Sequence, residues 1–197
     1  MAMVVHKLST LQRRAILDHL LTLSGEDRRL RFGAAMADAA LARYVEGIDF
    51  ASDKTLGIYG GGLELIGFGH LAINCEGVFA ELGLSVTPAQ RKHGYGTALL
   101  ARAVLYARNI GLHTLYMHCL SENLEMIRLA RRAGLSVMAN RGEADGSLAL
   151  REPDFGSIAS ELMHDQIALV DHLFKQELRW TANMAAAGAG IRRAGSL

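Results

Sequence analysis

The chain has few cysteines, few prolines and almost no net charge, and these shortages exclude several classes of protein. Its 197 residues include two cysteines, Cys75 and Cys119. Two are too few for a disulfide framework and are typical of reduced core thiols in a cytoplasmic protein. The formal net charge is +1, so neither nucleic acid nor an anionic membrane is expected as a partner. The sequence shows neither a run of about twenty apolar residues nor a cleavable leader pattern, which predicts neither membrane spanning nor export.

Common metal-binding and nucleotide-binding motifs are also missing. The eight histidines show no His-Glu-x-x-His pattern and no paired Cys/His spacing, so no metal site is predicted. A Rossmann motif would need its third glycine at Leu99, and no P-loop motif occurs. The chain is instead rich in apolar residues: 50% of its residues are hydrophobic, enough to bury a compact core.

The most informative segment runs from Val86 to Thr97, with the sequence Val-Thr-Pro-Ala-Gln-Arg-Lys-His-Gly-Tyr-Gly-Thr. An apolar strand leads here into a basic turn with two glycines, and the turn opens an apolar helix. Gly94 and Gly96 lack Cβ atoms, so their amides can approach a ligand closely, and the helix start presents unpaired N–H groups. The segment therefore predicts a backbone cradle for phosphate. The alternative is a strand-to-helix turn whose glycines serve geometry alone.

The pattern Val-x-Pro-x-x-Arg-x-x-Gly-x-Gly resembles the coenzyme A pyrophosphate loop of the GNAT N-acyltransferase superfamily. Downstream, Asn123, Gly134 and Leu135 follow the spacing of a second GNAT block, after a predicted strand over residues 114–119. The tyrosine of that block, which in the family often protonates the departing thiolate, is replaced by Ala130. The resemblance implies acetyl-CoA as the cofactor. It also implies an N-acetyltransferase that acts by direct attack in a ternary complex on a primary amine, either of a small metabolite or of a protein lysine.

The resemblance further implies the GNAT fold, an α/β (α+β) architecture with a mixed central sheet flanked by helices. The predicted order over residues 1–151 is one strand, two helices, three strands, a helix, a strand, a helix and two strands, which we assign to an acyl-CoA-binding domain. The charged segment 26–33 is predicted to be a linker or a solvated helix face. Its letters Glu-Asp-Arg-x-Leu-Arg-Phe also resemble the entry segment of GNATs related to protein lysine acetyltransferases, where the first helices border the acceptor site. Residues 60–62 are three glycines, which are expected to supply the positive dihedrals of a hairpin turn.

Residues 152–182 are predicted to add a C-terminal helix, because apolar letters recur at helical spacing from about Phe155 to Trp180. Such an apolar stripe must be covered. It packs either on its own domain or on a second subunit, and the second interpretation predicts a homodimer through this helix. Residues 183–197 are rich in alanine and glycine and are predicted to form a flexible tail.

The resemblance implies cofactor contacts from the loop and from strand four, whose backbone pairs with the pantetheine amides in GNATs. The residues concerned are Leu84, Val86, Arg91, Lys92, His93, Gly94, Tyr95, Gly96, Thr97 and Asn123. Asn123 has a second interpretation, as the cap of the helix that begins at Leu124.

Glu81 stands a few residues upstream on the same strand and resembles the general-base glutamate of several GNATs. Its alternative role is that of an exposed strand carboxylate. The nearest polar residues that could replace the missing acid are Tyr116, His118 and Ser121. Because Ala130 cannot donate a proton, an alternative function is a catalytically impaired acyl-CoA-binding domain with a regulatory or interaction role. A third is a structural module built around the C-terminal helix.

Overall fold

A computed structural model describes the backbone of residues 3–194 and the side chains of residues 3–177. The strands are β1 (His6–Leu8), β2 (Lys54–Tyr59), β3 (Leu65–Ile73), β4 (Phe79–Val86), β5 (Thr114–Leu120), β6 (Ser136–Asn140) and β7 (Glu143–Ala149). The α-helices are α1 (Arg13–Leu21), α2 (Gly25–Phe32), α3 (Asp38–Glu46), α4 (Tyr95–Asn109), α5 (Leu124–Arg132) and α6 (Phe155–Ala194). The α/β (α+β) class predicted from the sequence is confirmed.

All seven strands form one mixed sheet in the order β1-β2-β3-β4-β5-β7-β6. Every neighbouring pair is antiparallel except β4 and β5, which are parallel. The parallel register covers Phe79–Glu81 against Thr114–Tyr116, and β4 then continues to Val86 without β5 beside it. The two strands therefore separate after Glu81, and this opening positions the candidate site.

Helices cover both faces of the sheet. The helix α4 packs on one face, where Leu82 and Leu84 of β4 belong to its buried core. Helices α1 and α3 build a second core on the opposite face, around Phe68 of β3. Because side chains alternate along a strand, the odd-numbered residues of β4 face the side of α1 to α3.

The charged segment 26–33 is a helix that packs on the sheet, not a solvated linker. Its start is fixed by a capping box, in which the Ser24 hydroxyl accepts a hydrogen bond from the Asp27 backbone N–H at 3.1 Å. Gly33, with φ of 76°, ends the helix in the left-handed conformation. Residues 27–32 are half-buried, and α2 contacts β4 and β5.

Two smaller expectations are wrong. In the β2–β3 hairpin the positive φ of 63° falls on Leu63, whereas residues 60–62 have none. The cysteines are both free, but neither is a core thiol: Cys75 is exposed and Cys119 is half-buried.

Helix α6 continues to Ala194, past the boundary predicted at residue 182. The side chains beyond Glu177 and the last three residues lie outside the described part, so the flexible tail over residues 183–197 stays a prediction. Among the described helices, none combines the length and the hydrophobicity needed to cross a bilayer.

Candidate active site

The separation of β4 from β5 opens a cleft of about 510 Å³. Its walls come from the end of β4, the loop that follows, the first turn of α4, and helices α2 and α5. Nine of the ten cofactor residues predicted from the sequence line it: Leu84, Val86, Arg91, Lys92, Gly94, Tyr95, Gly96, Thr97 and Asn123. The tenth, His93, is exposed and lies outside this lining, with its Nδ1 3.2 Å from the Gln90 carbonyl oxygen.

The loop before α4 has the backbone geometry of an anion cradle. Lys92 and Gly94 both adopt positive φ, at 64° and 87°, which turns consecutive amides toward one side. Helix α4 then begins at Tyr95 with no side-chain cap in the described structure, and Ala98 is the first N–H of the helix to bond back, to Gly94. The N–H groups of the first turn are therefore free for a phosphate.

Arg91 is held by the protein and is not free to follow a ligand. Its Nη2 lies 2.7 Å from Asp27 Oδ1, and its Nε donates to the Val86 carbonyl at 3.3 Å. Partial burial disfavours the Asp27 carboxylate, but hydrogen bonds from Ser24 and Arg91 outweigh this and lower its pKa. The pair ties α2 to the phosphate loop.

Sequence reasoning missed two arginines of this cleft, Arg128 and Arg132 on α5. Their spacing of four residues, which places both on one helix face, was the available signal. Together with Lys92 they give the cleft a cationic rim, next to the free amides of α4. This combination fits the phosphates of acetyl-CoA.

Asn123 caps α5, as its second interpretation predicted. Its side-chain oxygen accepts from the Met126 N–H at 3.2 Å, and its Nδ2 donates to the Leu30 carbonyl of α2 at 3.4 Å. The cap therefore also holds α2 against the cleft.

A second cavity of about 420 Å³ adjoins the first on the side of Glu81. Its polar lining includes Glu81, Glu143 and His118. Leu30 and Arg31 of α2 line both cavities and form the wall between them. The cofactor cleft and this carboxylate-bearing cavity thus meet along β4.

Of the three residues predicted to replace the missing acid, His118 lines the second cavity. Its Nδ1 lies 2.5 Å from Asp145 Oδ1, and this hydrogen bond raises the pKa of His118 above its ordinary value. Tyr116 instead packs edge to face on Phe79, with ring centroids 5.5 Å apart. Ala130 is buried in the core.

Behind β4 lies a buried pair, His19 of α1 and Ser85. The His19 Nδ1 donates to the Leu65 carbonyl at 2.9 Å, and Nε2 accepts from the Ser85 hydroxyl at 2.9 Å. Burial lowers the pKa of His19 to about 4, so the ring is neutral at pH 7. The pair anchors the open end of β4 to α1.

The fold and the two cavities define an acyl-CoA-dependent transferase, and the family comparison agrees. The model of the acetyltransferase (GNAT) family matches residues 19–135, more than half of the chain. The chain belongs to the GNAT family of N-acetyltransferases, and its cofactor is acetyl-CoA. No curated protein matches the sequence.

Solved structures share this fold at low sequence identity. The GNAT domain of S. lividans PAT is 21% identical, with a TM-score of 0.63, covering 74% of this chain and 89% of that one. A putative acetyltransferase from Salmonella typhimurium, solved with acetyl-CoA, is 20% identical, with a TM-score of 0.60 and coverage of 78% and 96%. Spermidine N-acetyltransferase from Vibrio cholerae, solved with CoA and spermine, is 19% identical, with a TM-score of 0.60 and coverage of 75% and 95%.

Proposed function

We propose that the protein transfers an acetyl group from acetyl-CoA to a primary amine, of a small molecule or a protein lysine, by direct attack in a ternary complex. The observation that carries this proposal is the meeting of two cavities along β4. One cavity has a phosphate cradle, and the other has a carboxylate on the strand where the two cavities meet. Both substrates can therefore be bound at once.

Each step of amine acylation has a candidate group on this chain. Glu81 accepts the proton that the ammonium must lose before it attacks. Backbone N–H groups of β4 beyond Glu81, which β5 leaves free, donate to the developing oxyanion. His118, whose pKa is raised by Asp145, supplies a proton in place of the absent tyrosine. Bound acetyl-CoA supplies the thioester and a thiolate leaving group.

The test is thiol release from acetyl-CoA in the presence of an amine panel that includes a lysine peptide, spermidine and amino acids. Release that depends on the amine, with the acetylated amine found by mass spectrometry, is the expected result. Binding of acetyl-CoA without transfer to any amine would favour the impaired acyl-CoA-binding domain. Absence of acetyl-CoA binding would favour the third function, a structural module built around the C-terminal helix.

We also propose a homodimer through α6, because the helix presents its apolar face outward. Nine large apolar side chains are 47–88% exposed: Phe155, Ile158, Leu162, Met163, Ile167, Leu169, Val170, Leu173 and Phe174. Burying side chains of this size removes about 100 Å² each from water. Nine of them offer on the order of 900 Å² per subunit, close to the roughly 800 Å² per partner of a standard stable interface.

A second copy fits this face better than an anionic membrane does. Residues 155–177 contain four acidic residues and one cation, Lys175, which is buried against the domain. Beside such an apolar face, a helix for a lipid surface would carry exposed lysine or arginine, which the described stretch 155–177 does not. Two copies of an uncharged apolar face can pair about a two-fold axis without repulsion.

Light scattering on the full chain tests the dimer. Wild-type protein is expected to have twice the subunit mass, and the double variant Leu162→Glu, Leu169→Glu is expected to be monomeric and folded. The control His164→Glu adds a charge to an exposed position of the same helix outside the apolar face and is expected to stay dimeric. A wild-type monomer at high concentration would overturn the proposal.

A cytoplasmic location is proposed as well. The thiols of Cys75 and Cys119 are both free, which supports a reducing compartment.

A further inference from the structure

We propose that the second cavity binds an amine that also carries a carboxylate, as an α-amino acid does, and that Arg31 binds this carboxylate. The inference rests on the proposed function, because it names the acceptor class of the same site. It begins from Arg31, a cation that the described structure leaves without an anion.

Arg31 of α2 lies directly on the backbone of β4 at Gly83. A Cβ atom added to Gly83 would lie 1.9 Å from Arg31 Nη2 and 2.1 Å from Cζ, closer than any side chain permits. Glycine at position 83 is therefore required for this arrangement. The guanidinium is brought to the wall between the two cavities, where it lines both.

The guanidinium has no carboxylate partner within 4.0 Å among the described side chains, and residues 178–197 contain no Asp or Glu. Among the described residues, its Nε is buried without a hydrogen bond, and its one side-chain hydrogen bond goes to the Tyr44 hydroxyl, at 3.5 Å. Its Cζ also lies 4.7 Å from the centroid of the Phe32 ring, a contact that supplies no negative charge. A partly desolvated charge without a counterion is costly. In contrast, Arg28 and Arg29 of the same helix both form ion pairs.

A hydrogen-bonded chain keeps Tyr44 beside Arg31 in a fixed orientation. The Tyr44 hydroxyl lies 2.7 Å from His70 Nδ1, and His70 Nε2 lies 2.9 Å from Asp53. Since Asp53 accepts a hydrogen bond from the Nε2–H group, Nδ1 accepts one from the Tyr44 hydroxyl, whose oxygen is left to accept one from Arg31. Asp53 thus serves His70 and is not a counterion for Arg31.

The amine end of the acceptor has its partner on the same face of the strand. Glu81 and Gly83 are two residues apart, about 7 Å along β4. An α-amino acid, in which one carbon carries both groups, can place its carboxylate at Arg31 and its amine beside Glu81, the proposed base, because both side chains line this cavity.

Calorimetry on the full chain saturated with CoA tests the assignment. The probes are L-alanine, L-methionine, L-phenylalanine and L-lysine, each compared with its α-carboxamide, which removes the carboxylate charge and keeps the shape. At least one amino acid is expected to bind tenfold or more tightly than its carboxamide. Arg31→Gln should weaken binding of the amino acid tenfold or more and leave binding of the carboxamide unchanged.

Two further variants complete the experiment. Arg29→Gln removes an ion-paired arginine of the same helix that lines neither cavity, and it is expected to keep the wild-type preference. Arg31→Lys keeps the charge and should retain part of the preference for the carboxylate. A circular dichroism spectrum like that of wild type shows that each Arg31 variant is folded.

Three results would overturn the inference: equal binding of acid and carboxamide, no binding of any amino acid, or an Arg31→Gln variant that weakens both probes equally. The last result would assign Arg31 to the shape of the cavity and not to the carboxylate. Acetyl transfer to amines without a carboxylate would leave the proposed function intact. Binding of an amino acid without acetyl transfer to any amine would refute the proposed function but would support the carboxylate site at Arg31.

Discussion

Glu81 is the residue on which the proposed chemistry depends. It is exposed on β4, lines the second cavity and is the last residue of β4 in register with β5. The next residues are those whose backbone faces the cofactor cleft. A carboxylate at this position can reach an amine that approaches the cleft from the second cavity.

The substitution Glu81→Gln keeps the shape but removes the proton acceptor. We expect turnover at pH 7 to fall about a hundredfold or more, with acetyl-CoA affinity near wild type. Activity should recover in part at high pH, where the amine is already deprotonated. Glu76→Gln, at an exposed carboxylate of the β3–β4 turn, should have no effect. Full activity of Glu81→Gln at neutral pH would remove Glu81 from the mechanism.

At the residue scale, the sequence predicts what is local. The phosphate cradle around Gly94 and Gly96 can be predicted because the strand, the turn and the start of the helix are contiguous in sequence. The contact of Arg31 with Gly83 joins positions 52 residues apart and depends on α2 crossing β4, so neither letter stands out in the sequence. The four-residue spacing of Arg128 and Arg132 places them on one helix face, but the two residues belong to no recognisable motif.

At the scale of elements, α6 shows what periodicity leaves open. The apolar spacing correctly predicts a helix, but it does not say which face meets the domain. The face that meets it is polar: Asp165 pairs with Arg102 and Lys7, and Asp171 pairs with His6 and Lys175. The face of α6 that packs on the domain is therefore decided by residues of α4 and β1, which are distant from α6 in sequence.

The Arg102 guanidinium is buried under α6, with its Nη2 2.5 Å from Asp165. Asp165→Ala leaves this charge with a single carboxylate, that of Glu161 at 3.7 Å. We expect the free energy of unfolding to fall by about 3 kcal/mol, because a buried charge loses the nearer of its two carboxylates. Urea unfolding measures this, with Glu177→Ala, an exposed acid of the same helix, as the control. Equal stability of the two variants would contradict the buried ion pair.

At the scale of the whole molecule, the order of elements predicted from the sequence matches the structure except for α2. The charge pattern of residues 26–33 indicates a solvent-exposed segment. In the structure, a capping box and arginine contacts stabilise a helix here, and this helix lines the site. The order of the seven strands and the separation of β4 from β5 depend on pairing between distant segments. The alternation of apolar and polar residues along one strand cannot specify this pairing.

The stability of the fold should depend on pH through His19, which joins α1 to β4. Burial holds its pKa at about 4 in the folded protein, whereas the unfolded chain protonates it near 6.5. The free energy of unfolding should therefore fall as the pH drops below 6.5, with a loss of about 2 kcal/mol at pH 5. His19→Asn should be less stable at pH 7 but lose less between pH 7 and pH 5 in urea unfolding. Equal losses in both proteins would contradict the neutral buried His19.

The central claim is that acetyl-CoA binds with its phosphates on the amides that open α4. Calorimetry with acetyl-CoA tests it most directly, on wild type, Gly96→Glu and the control Gly61→Glu, which adds the same charge to an open position of the β2–β3 turn. We predict binding by wild type and control, and none detectable by Gly96→Glu, with all three folded by circular dichroism. Unchanged affinity in folded Gly96→Glu would contradict the account.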